Sequence, residues 1–306
     1  MLRRHVLLFH NAALGDFVLT WPIAVALSRV MAQSRVAYVT AGEKGRLAER
    51  ALGVEFVDAE AGWHALHAAA PADSAVPAEL AERPAKLLAG LQLAVVFAQG
   101  DASAFVANVR RHAGDVPIIV LAPNPPTGTH VWEHQVAQLA AVPWLATAVS
   151  QVQATARSRG LCAAPPGDAD RVIIHPGSGA GRKNWPAERF VEVAALLKSR
   201  GKAVTFVLGE VEREKMPPAD VAAIRAAGDV ASPATLLDLH DALASAAAYV
   251  GNDSGPTHLA AALGRRAVAL FGPTSDAGSW GPVGPGVRVL PFDATTADVA
   301  AALDAG

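Results

Sequence analysis

Short apolar runs alternate along the chain with longer Ala- and Leu-rich stretches of helical spacing. Continuous apolar runs are typical of parallel strands that are covered on both faces, so the pattern predicts an α/β protein. The predicted strands are residues 6–9, 35–39, 54–57, 93–97, 117–121, 171–175, 204–208, 248–250, 267–271 and 287–290. The predicted helices are residues 16–31, 44–51, 131–159, 187–200, 220–227, 236–246, 256–263 and 296–303.

This pattern is interrupted once and then starts again. A stretch rich in Pro and Gly occupies residues 163–168, and each half opens with a strand, a loop of small residues and a helix. We therefore predict two doubly wound domains, residues 1–162 and 163–306, with the last helix as a candidate to pack back on the first domain. Residues 59–84 are weakly patterned, and their prolines predict loops and short helices.

Composition narrows the functional classes. Of the 306 residues 52% are hydrophobic and 18% are charged, and the formal net charge is −2, which disfavours disorder and a general polyanion binder. The lone cysteine, Cys162, excludes an internal disulfide framework and a Cys-rich zinc site. We expect no signal peptide and no transmembrane helix, hence a cytoplasmic protein, and the pattern leaves a peripheral membrane contact open.

The loop after the strand at 171–175 combines small residues with two adjacent cations. It runs from His175 to Pro186 and contains three glycines followed by Arg182 and Lys183. Glycines let a backbone approach a ligand closely, and a basic pair can neutralise a diphosphate. The spacing is not that of a Walker loop, so no nucleoside triphosphatase is indicated. A flexible surface loop with a solvated basic pair is the alternative interpretation.

A second loop follows the strand at 248–250 and leads directly into a helix. Asp253 or Ser254 is positioned to cap this helix, whose first turn contains Gly255 and Pro256. Free amides at a helix N-terminus bind anions. Taken alone, these residues are also typical of an ordinary helix cap without a ligand, followed by a surface histidine, His258. Two phosphate-compatible loops in one half favour a nucleotide diphosphate site.

A third loop, in the first half, ends in Gly-Asp. Asp16 opens a predicted helix, where the helix dipole favours its ionised form. A carboxylate at a strand-to-helix turn can act as a general base on a hydroxyl group. An ordinary first-turn aspartate is the more common interpretation of such a residue.

These three loops together resemble the ADP-heptose:lipopolysaccharide heptosyltransferases of glycosyltransferase family 9. The resemblance rests on Leu-Gly-Asp at 14–16 with Thr-Trp-Pro at 20–22, on the loop at 175–190, and on the block at 253–264 followed by Leu-Phe-Gly-Pro-Thr at 270–274. It implies a GT-B fold, in which two Rossmann-like domains flank a cleft. It also implies inverting transfer of a sugar without a metal or cofactor, from ADP-heptose to a hydroxyl of the lipopolysaccharide inner core.

The resemblance also implies roles for single residues. Asp16 would deprotonate the acceptor hydroxyl, and the first domain would bind the acceptor, a lipid-linked oligosaccharide. Lys183 would hold the donor diphosphate, either Glu210 or Glu212 would meet the ribose, and Asp253 would contact the donor sugar. The implied donor-binding residues all follow strands of the second domain: Ser178, Gly179, Lys183, Glu210, Glu212, Asp253, Ser254, Gly255, Thr257 and His258.

Three other functions compete with this one. A GT-B sugar-nucleotide 2-epimerase would use the same donor site without an acceptor. A non-catalytic member of the family would bind a nucleotide sugar without transferring it. A dehydrogenase is disfavoured, because neither opening loop contains the G-x-G-x-x-G sequence.

Overall fold

The computed structural model describes residues 4–67, 82–162 and 164–304, in which strands and helices alternate. The β-strands of this described part are β1 His5–Phe9, β2 Arg35–Thr40, β3 Glu55–Asp58, β4 Leu91–Phe97, β5 Ile118–Leu121, β6 Asp168–His175, β7 Ala203–Val207, β8 Asp229–Ala231, β9 Ala246–Asn252, β10 Arg266–Phe271 and β11 Val287–Pro291. Its α-helices are α1 Leu14–Leu19, α2 Trp21–Val30, α3 Gly42–Leu52, α4 Glu82–Ala89, α5 Ser103–Ala113, α6 Val131–Gln138, α7 Pro143–Arg159, α8 Ala187–Ser199, α9 Glu210–Lys215, α10 Pro218–Ala227, α11 Leu236–Ala244, α12 Gly255–Ala262, α13 Ala277–Trp280 and α14 Thr296–Asp304.

The chain divides into two compact units, each with one parallel sheet. Unit 1 comprises the chain up to Ala12 together with Thr20–Pro125 and Val131–Val152. Unit 2 comprises Ala13–Leu19, Pro126–His130 and the chain from Gln153 onward. Helix α1, which contains Asp16, therefore belongs to unit 2, although it follows the first strand of unit 1.

The sheet of unit 1 has the strand order β3-β2-β1-β4-β5, and all neighbouring strands are parallel. Strand β1 lies in the middle, and its residues Val6, Leu7 and Leu8 are fully buried. A continuous apolar strand is required there because helices cover both faces of the sheet. The order of the strands reverses between β1 and β4.

The sheet of unit 2 has the strand order β11-β10-β9-β6-β7-β8, again with parallel pairs. Its core includes Ile174 of β6 and Val250 of β9, against which Phe190 of α8 packs. Helix α14 contributes Val299 and Leu303 to this same core. The order of the strands reverses between β6 and β9.

The predicted α/β class and all ten predicted strands are confirmed, whereas two predicted helices are wrong in extent. The helix predicted at 16–31 is interrupted at Thr20, and the one predicted at 131–159 ends at Gln138 and restarts at Pro143. Proline lacks an amide hydrogen and is tolerated in the first turn of a helix, so Pro22 and Pro143 begin new helices instead of continuing old ones.

Some elements were not predicted. The structure adds α4, α5, α9, α13 and the short strand β8. Within the irregular stretch predicted at 59–84, a 3₁₀ turn covers Trp63–His67 and α4 begins at Glu82. Pro71 and Pro77 lie outside the described residues. In the described part of the chain, no helix combines the length and the apolar character needed to cross a membrane.

Candidate functional site

The reversal of strand order in unit 2 brings together two of the loops that the sequence singled out. Strand β6 ends at His175 and its neighbour β9 ends at Asn252, with His175 in register with Gly251. In open α/β sheets, ligands bind beyond the carboxyl ends of the strands at such a reversal. The loop at 176–186 follows β6, and the helix α12 follows β9, so both face the same edge of the sheet.

Asn252 holds the loop at 176–186 at both of its ends. Its side chain is fully buried, and its Nδ2 donates to the carbonyl oxygens of Pro176 at 2.8 Å and Gly177 at 3.3 Å. Its Oδ1 accepts the backbone N–H of Trp185 at 2.9 Å. Trp185 is itself buried and donates its indole N–H to the carbonyl oxygen of Phe292 at 2.9 Å. The shape of the loop is therefore fixed by one amide side chain.

Lys183 and Asp253 form the charged centre of the site. Lys183 Nζ donates to Asp253 Oδ2 at 2.7 Å, and Ser275 Oγ donates to the same oxygen at 2.8 Å. The Asp253 side chain is 10% exposed and that of Lys183 is 31% exposed, so the cation is the more accessible partner. An accessible ammonium held in place by a buried carboxylate is well placed to meet an incoming anion.

The first turn of α12 is ordered by hydroxyl groups. Ser254 is the N-cap residue, with an extended backbone at φ −155° and ψ 162°. Its hydroxyl lies 3.1 Å from Thr257 Oγ1, which also lies 3.0 Å from the Tyr249 hydroxyl and donates to the carbonyl oxygen of Asn252. The Thr257 amide donates to Ser254 O at 3.1 Å, so Gly255 provides the first-turn amide that points beyond the helix.

His258 lies buried on the same turn and is surrounded by charged groups. Burial lowers the pKa of its imidazole to about 4; the Asp253 carboxylate opposes this shift, and His130 and Lys183 add to it. The ring is therefore neutral at physiological pH, and its Nδ1 has no hydrogen-bond partner among the residues that the structure describes. A Cβ placed on Gly15 would come within 3.0 Å of the His258 Cδ2 atom, so this turn packs directly against the Gly-Asp motif.

Asp16 lies half-buried in the first turn of α1, one residue after Gly15. A Cβ on Gly255 would come 2.7 Å from the Cβ of Leu14, which shows how closely the starts of α1 and α12 approach. Both helices belong to unit 2. The Gly-Asp motif and the Asp253–His258 turn are thus parts of one packed unit.

The two glutamates that the sequence left as alternatives have different surroundings. Glu212 is buried, and its Oε2 accepts the Gly209 amide at 2.8 Å while Oε1 lies 3.5 Å from His175 Nε2. Burial raises the pKa of the Glu212 carboxyl, but the hydrogen bond and charge of His175 and the nearby backbone amides outweigh burial, so this pKa lies below its ordinary value. Glu210 is exposed.

Glu210 lines a cavity of about 240 Å³ that suits a flat apolar group. Leu236 and Leu239 of α11 form an apolar wall, and Ser178 and Gly255 lie at the side nearest the loop and α12. Small-molecule cavities are mostly apolar, with a few placed polar groups, and this one fits a nucleobase with its sugar.

The two remaining implied residues, Ser178 and Gly179, lie in the loop at 176–186. The Ser178 hydroxyl is buried and contacts Ala180 O at 2.8 Å and Asn184 Oδ1 at 2.6 Å, so it braces the loop from within. Gly179 has no heavy atom within 4 Å of a Cβ placed on it, so its surroundings are open. Among the residues that the structure describes, no group of three His, Cys, Asp or Glu side chains is arranged to hold a metal ion.

Sequence reasoning missed three residues that build this site. Asn252 holds the loop, Ser275 fixes the Asp253 carboxylate, and His175 contacts Glu212. His175 and Asn252 are polar residues at the very ends of apolar strands, and that position was a signal for them. Ser275 carried no comparable signal, because it lies 22 residues from its partner.

The sequence and the fold both have relatives among known proteins. Residues 125–298 match the sequence model of the family described as "Glycosyltransferase family 9 (heptosyltransferase)". Over 117 residues the chain is 34% identical to the lipooligosaccharide heptosyltransferase 2 of Haemophilus influenzae, an alignment that covers 35% of this chain and 33% of that protein. The sequence match therefore spans about a third of the length of the curated relative.

Solved structures resemble the fold over nearly the whole chain. The E. coli heptosyltransferase WaaC with ADP matches with a TM-score of 0.65 at 18% identity, covering 98% of this chain and 99% of that one. The E. coli ADP-heptose lps heptosyltransferase II matches with a TM-score of 0.63 at 19% identity, covering 98% of each chain. A glycosyl transferase of family 9 from Veillonella parvula has a TM-score of 0.62 at 17% identity, covering 99% of this chain and 91% of that one. The two doubly wound sheets and these likenesses confirm the predicted GT-B fold class.

Proposed function

Because the chain belongs to glycosyltransferase family 9, as its motifs indicated, we propose that it is an inverting, metal-independent glycosyltransferase. The sugar is a heptose, the donor is ADP-heptose, and the acceptor is a sugar hydroxyl of the lipopolysaccharide inner core. The observation that carries this proposal is the Lys183–Asp253 pair, which lies beside an open helix N-terminus at the strand reversal. The names of the relatives support the choice of heptose and of lipopolysaccharide.

Lys183 and the Gly255 amide hold the donor diphosphate in this proposal. Transfer leaves ADP with an additional negative charge, and a fixed ammonium and a helix N-terminus stabilise charge that develops at this position. Asp253 keeps Lys183 oriented and contacts the donor sugar, while Ser178 and Asn252 keep the loop in place. These groups do the work that a divalent ion performs in other transferases, and no cofactor is needed.

Glu210 is the glutamate that we assign to the donor ribose. The burial of Glu212 and its contacts with Gly209 and His175 support this choice of Glu210. Glu210 is exposed and lines the cavity whose far wall is formed by Leu236 and Leu239. The nucleobase then lies against the leucines, and a carboxylate at the rim accepts hydrogen bonds from the ribose hydroxyls.

Asp16 is the base that deprotonates the acceptor hydroxyl. A single displacement with inversion needs one group that removes a proton from the attacking oxygen and another that stabilises the leaving diphosphate. Asp16 and Lys183 supply these functions from within unit 2. Unit 1 binds the lipid-linked acceptor, so the proposal includes a peripheral contact with the inner membrane, from the cytoplasmic side.

A nucleotide screen tests the donor site. ADP and ADP-heptose should raise the thermal denaturation midpoint, whereas UDP, GDP and NAD should leave it unchanged, because only a ligand of the folded state stabilises it. Lys183→Ala should weaken ADP binding by about tenfold or more, since a charge-assisted contact is worth on the order of 1–3 kcal/mol. Arg225→Ala is the control, because this exposed cation of α10 lies in the same unit and does not line the cavities at the donor site.

The outcomes separate the proposal from its competitors. An ADP affinity of Lys183→Ala equal to that of the wild type and of Arg225→Ala would remove Lys183 from the donor site. NMR spectra that show conversion of the sugar nucleotide in the absence of any acceptor would indicate an epimerase. Donor binding without either reaction, in the presence of lipopolysaccharide acceptors, would indicate a binding protein.

A further inference from the structure

Unit 1 contains a cavity of about 640 Å³, and none of the residues that line it belongs to the donor site. It lies at the carboxyl ends of the central strands, with Phe9 of β1, Val39 of β2 and Phe97 of β4 among its walls. This is the edge at which the strand order of unit 1 reverses, between β1 and β4. The position therefore corresponds to the ligand edge of a doubly wound sheet. In chain order, the lining residues Asn11 and Ala12 directly precede the segment that contains Asp16.

Aromatic rings form a large part of the wall, and several of them pack against one another. Phe9 makes edge contacts with Trp63 at 5.4 Å and with Phe105 at 5.1 Å between ring centroids. His10 and Phe97 make a similar contact at 5.3 Å. Packed rings give a rigid surface with a large apolar area, which suits the C–H face of a sugar ring.

The polar groups of the wall suit hydroxyl groups. Asn11, Gln99 and His64 line the cavity and include both hydrogen-bond donors and acceptors, which a sugar hydroxyl needs in combination.

The described residues that line the cavity contribute a negative charge and no lysine or arginine. The one carboxylate among them is Asp101. The amide and hydroxyl of Ser103 lower the pKa of Asp101, which keeps it ionised. Burial, and then the charge of Lys44, lowers the pKa of His10 to about 4, so this imidazole is neutral. Lys44 itself donates to Asn11 Oδ1 and to the Ala12 carbonyl oxygen.

We propose that this cavity binds an uncharged sugar ring, and that the acceptor of the transfer is therefore a neutral glycoside and not an acidic sugar or a sugar phosphate. The inference rests on the transferase function proposed above and specifies its acceptor. Rings hold the apolar face of the sugar, the amides and imidazoles bind its hydroxyls, and Asp101 repels a carboxylate or phosphate on the acceptor.

The test uses pairs of probes that differ only at C6, where the neutral glycoside has a hydroxymethyl group and its uronide a carboxylate. Methyl glucoside and methyl glucuronide, and the matching galactose pair, are titrated into the full chain at pH 7 by ligand-observed NMR. We expect each neutral glycoside to bind about two- to fourfold more tightly than its uronide, because Asp101 repels a like charge but is exposed to screening solvent. Equal affinity, tighter binding of the uronides, or no saturable binding of either probe would overturn the proposal.

Two variants place the binding in the cavity. Asp101→Asn should tighten binding of the uronides by about two- to fourfold and leave the neutral glycosides nearly unchanged, since only the screened repulsion is removed. Asp115→Asn, an exposed carboxylate in unit 1 that does not line the cavity, should change neither. His64→Ala should weaken the neutral glycosides by about threefold or more through loss of a hydrogen bond. If neither Asp101→Asn nor His64→Ala changes the affinity for any probe, the assignment of the binding site to this cavity is overturned.

The same samples keep this inference separate from the proposed function. ADP is added to each variant, and its effect on the denaturation midpoint is recorded. Stabilisation by ADP combined with a preference for uronides would overturn the acceptor inference alone. A preference for neutral glycosides without any effect of ADP would contradict the donor function and leave the sugar cavity standing.

Discussion

The two sheets reverse their strand order at equivalent positions, yet the ligand edges that result have different chemistry. In unit 2, buried polar side chains such as Asn252 and Glu212 hold the backbone around one accessible cation, Lys183. In unit 1, aromatic rings surround an open cavity without a lining Lys or Arg among the described residues. The shared topology decides where a ligand binds, and the residue types decide which ligand it is. One edge suits an anion, and the other suits a neutral ring.

The largest effect on this comparison is expected from Asp16→Asn, which separates catalysis from binding within unit 2. Loss of the general base should lower kcat for heptose transfer by about 10²–10⁴-fold. ADP affinity should stay nearly unchanged, because Lys183 and α12 hold the diphosphate. Asp293→Asn, an exposed carboxylate of the same unit, is the control. Steady-state kinetics and calorimetry measure both quantities, and wild-type turnover in Asp16→Asn would disprove the assigned role.

A second variant tests whether the edge of unit 2 depends on its buried amide. Asn252→Ala removes the hydrogen bonds to Pro176, Gly177 and Trp185. Because buried partners are left unpaired, the free energy of unfolding should fall by about 3 kcal/mol, as measured by urea denaturation. Asn124→Ala, an exposed amide of unit 1, should cost less than about 0.5 kcal/mol. Similar losses in the two variants would mean that Asn252 does not hold the loop.

The two units should behave alike in one respect, because each buries a neutral histidine. The pKa values of His10 and His258 are lowered from 6.5 to about 4. Between these values the unfolded chain binds a proton that the folded chain does not, so the free energy of unfolding falls as pH falls from 6.5 toward 4. Each histidine contributes a slope of up to about 1.4 kcal/mol per pH unit.

Glutamine variants check this slope one unit at a time. Urea denaturation at several pH values from 7 to 4.5 should give a flatter dependence for His10→Gln and for His258→Gln than for the wild type, and to a similar extent. Each variant serves as the control for the other. A dependence that stays as steep as in the wild type would show that the substituted histidine is not held neutral by burial.

The smallest expected effect concerns the ribose contact of unit 2. Glu210→Gln should weaken ADP binding by about fivefold and reduce the preference for ADP over 2′-deoxy-ADP, since one hydrogen bond is worth about 1 kcal/mol. Glu214→Gln changes an exposed glutamate of the same helix that does not line the cavity. Isothermal titration with both nucleotides measures the change. If Glu210→Gln prefers ADP over 2′-deoxy-ADP as strongly as the wild type does, the assignment of Glu210 to the ribose is wrong.

Most of the fold could be predicted because buried parallel strands are continuous apolar runs. Strands β6 and β9 were predicted from this feature alone, and the glycines and charged residues after them indicated a ligand. Pro22 and Pro143 also indicate where the two long predicted helices are divided. The continuous apolar pattern led instead to the prediction of uninterrupted helices. Helix α5 was missed because Ala102 at its N-cap position offers no capping side chain, although Gly114 marks its end.

The candidate site could be predicted only in part, because its contacts join distant residues. Lys183 and Asp253 are 70 residues apart, and no spacing rule brings them together. The resemblance named both, but it could not choose between Glu210 and Glu212, since that choice depends on burial. The cavity of unit 1 is lined by residues between Phe9 and Pro123, most of them ordinary core residues in the sequence. Their shared wall exists only after folding.

The assignment of Ala13–Leu19 and Pro126–His130 to unit 2 has a consequence for how such enzymes can be recombined. A chimera made by a single crossover near residue 162 would combine the second half of one parent with these two short segments from the other. The segments would then have to fit a foreign partner, and the close approach of Leu14 to Gly255 leaves little space for different side chains. Exchange of specificity between relatives therefore requires that these segments be transferred together with the second half.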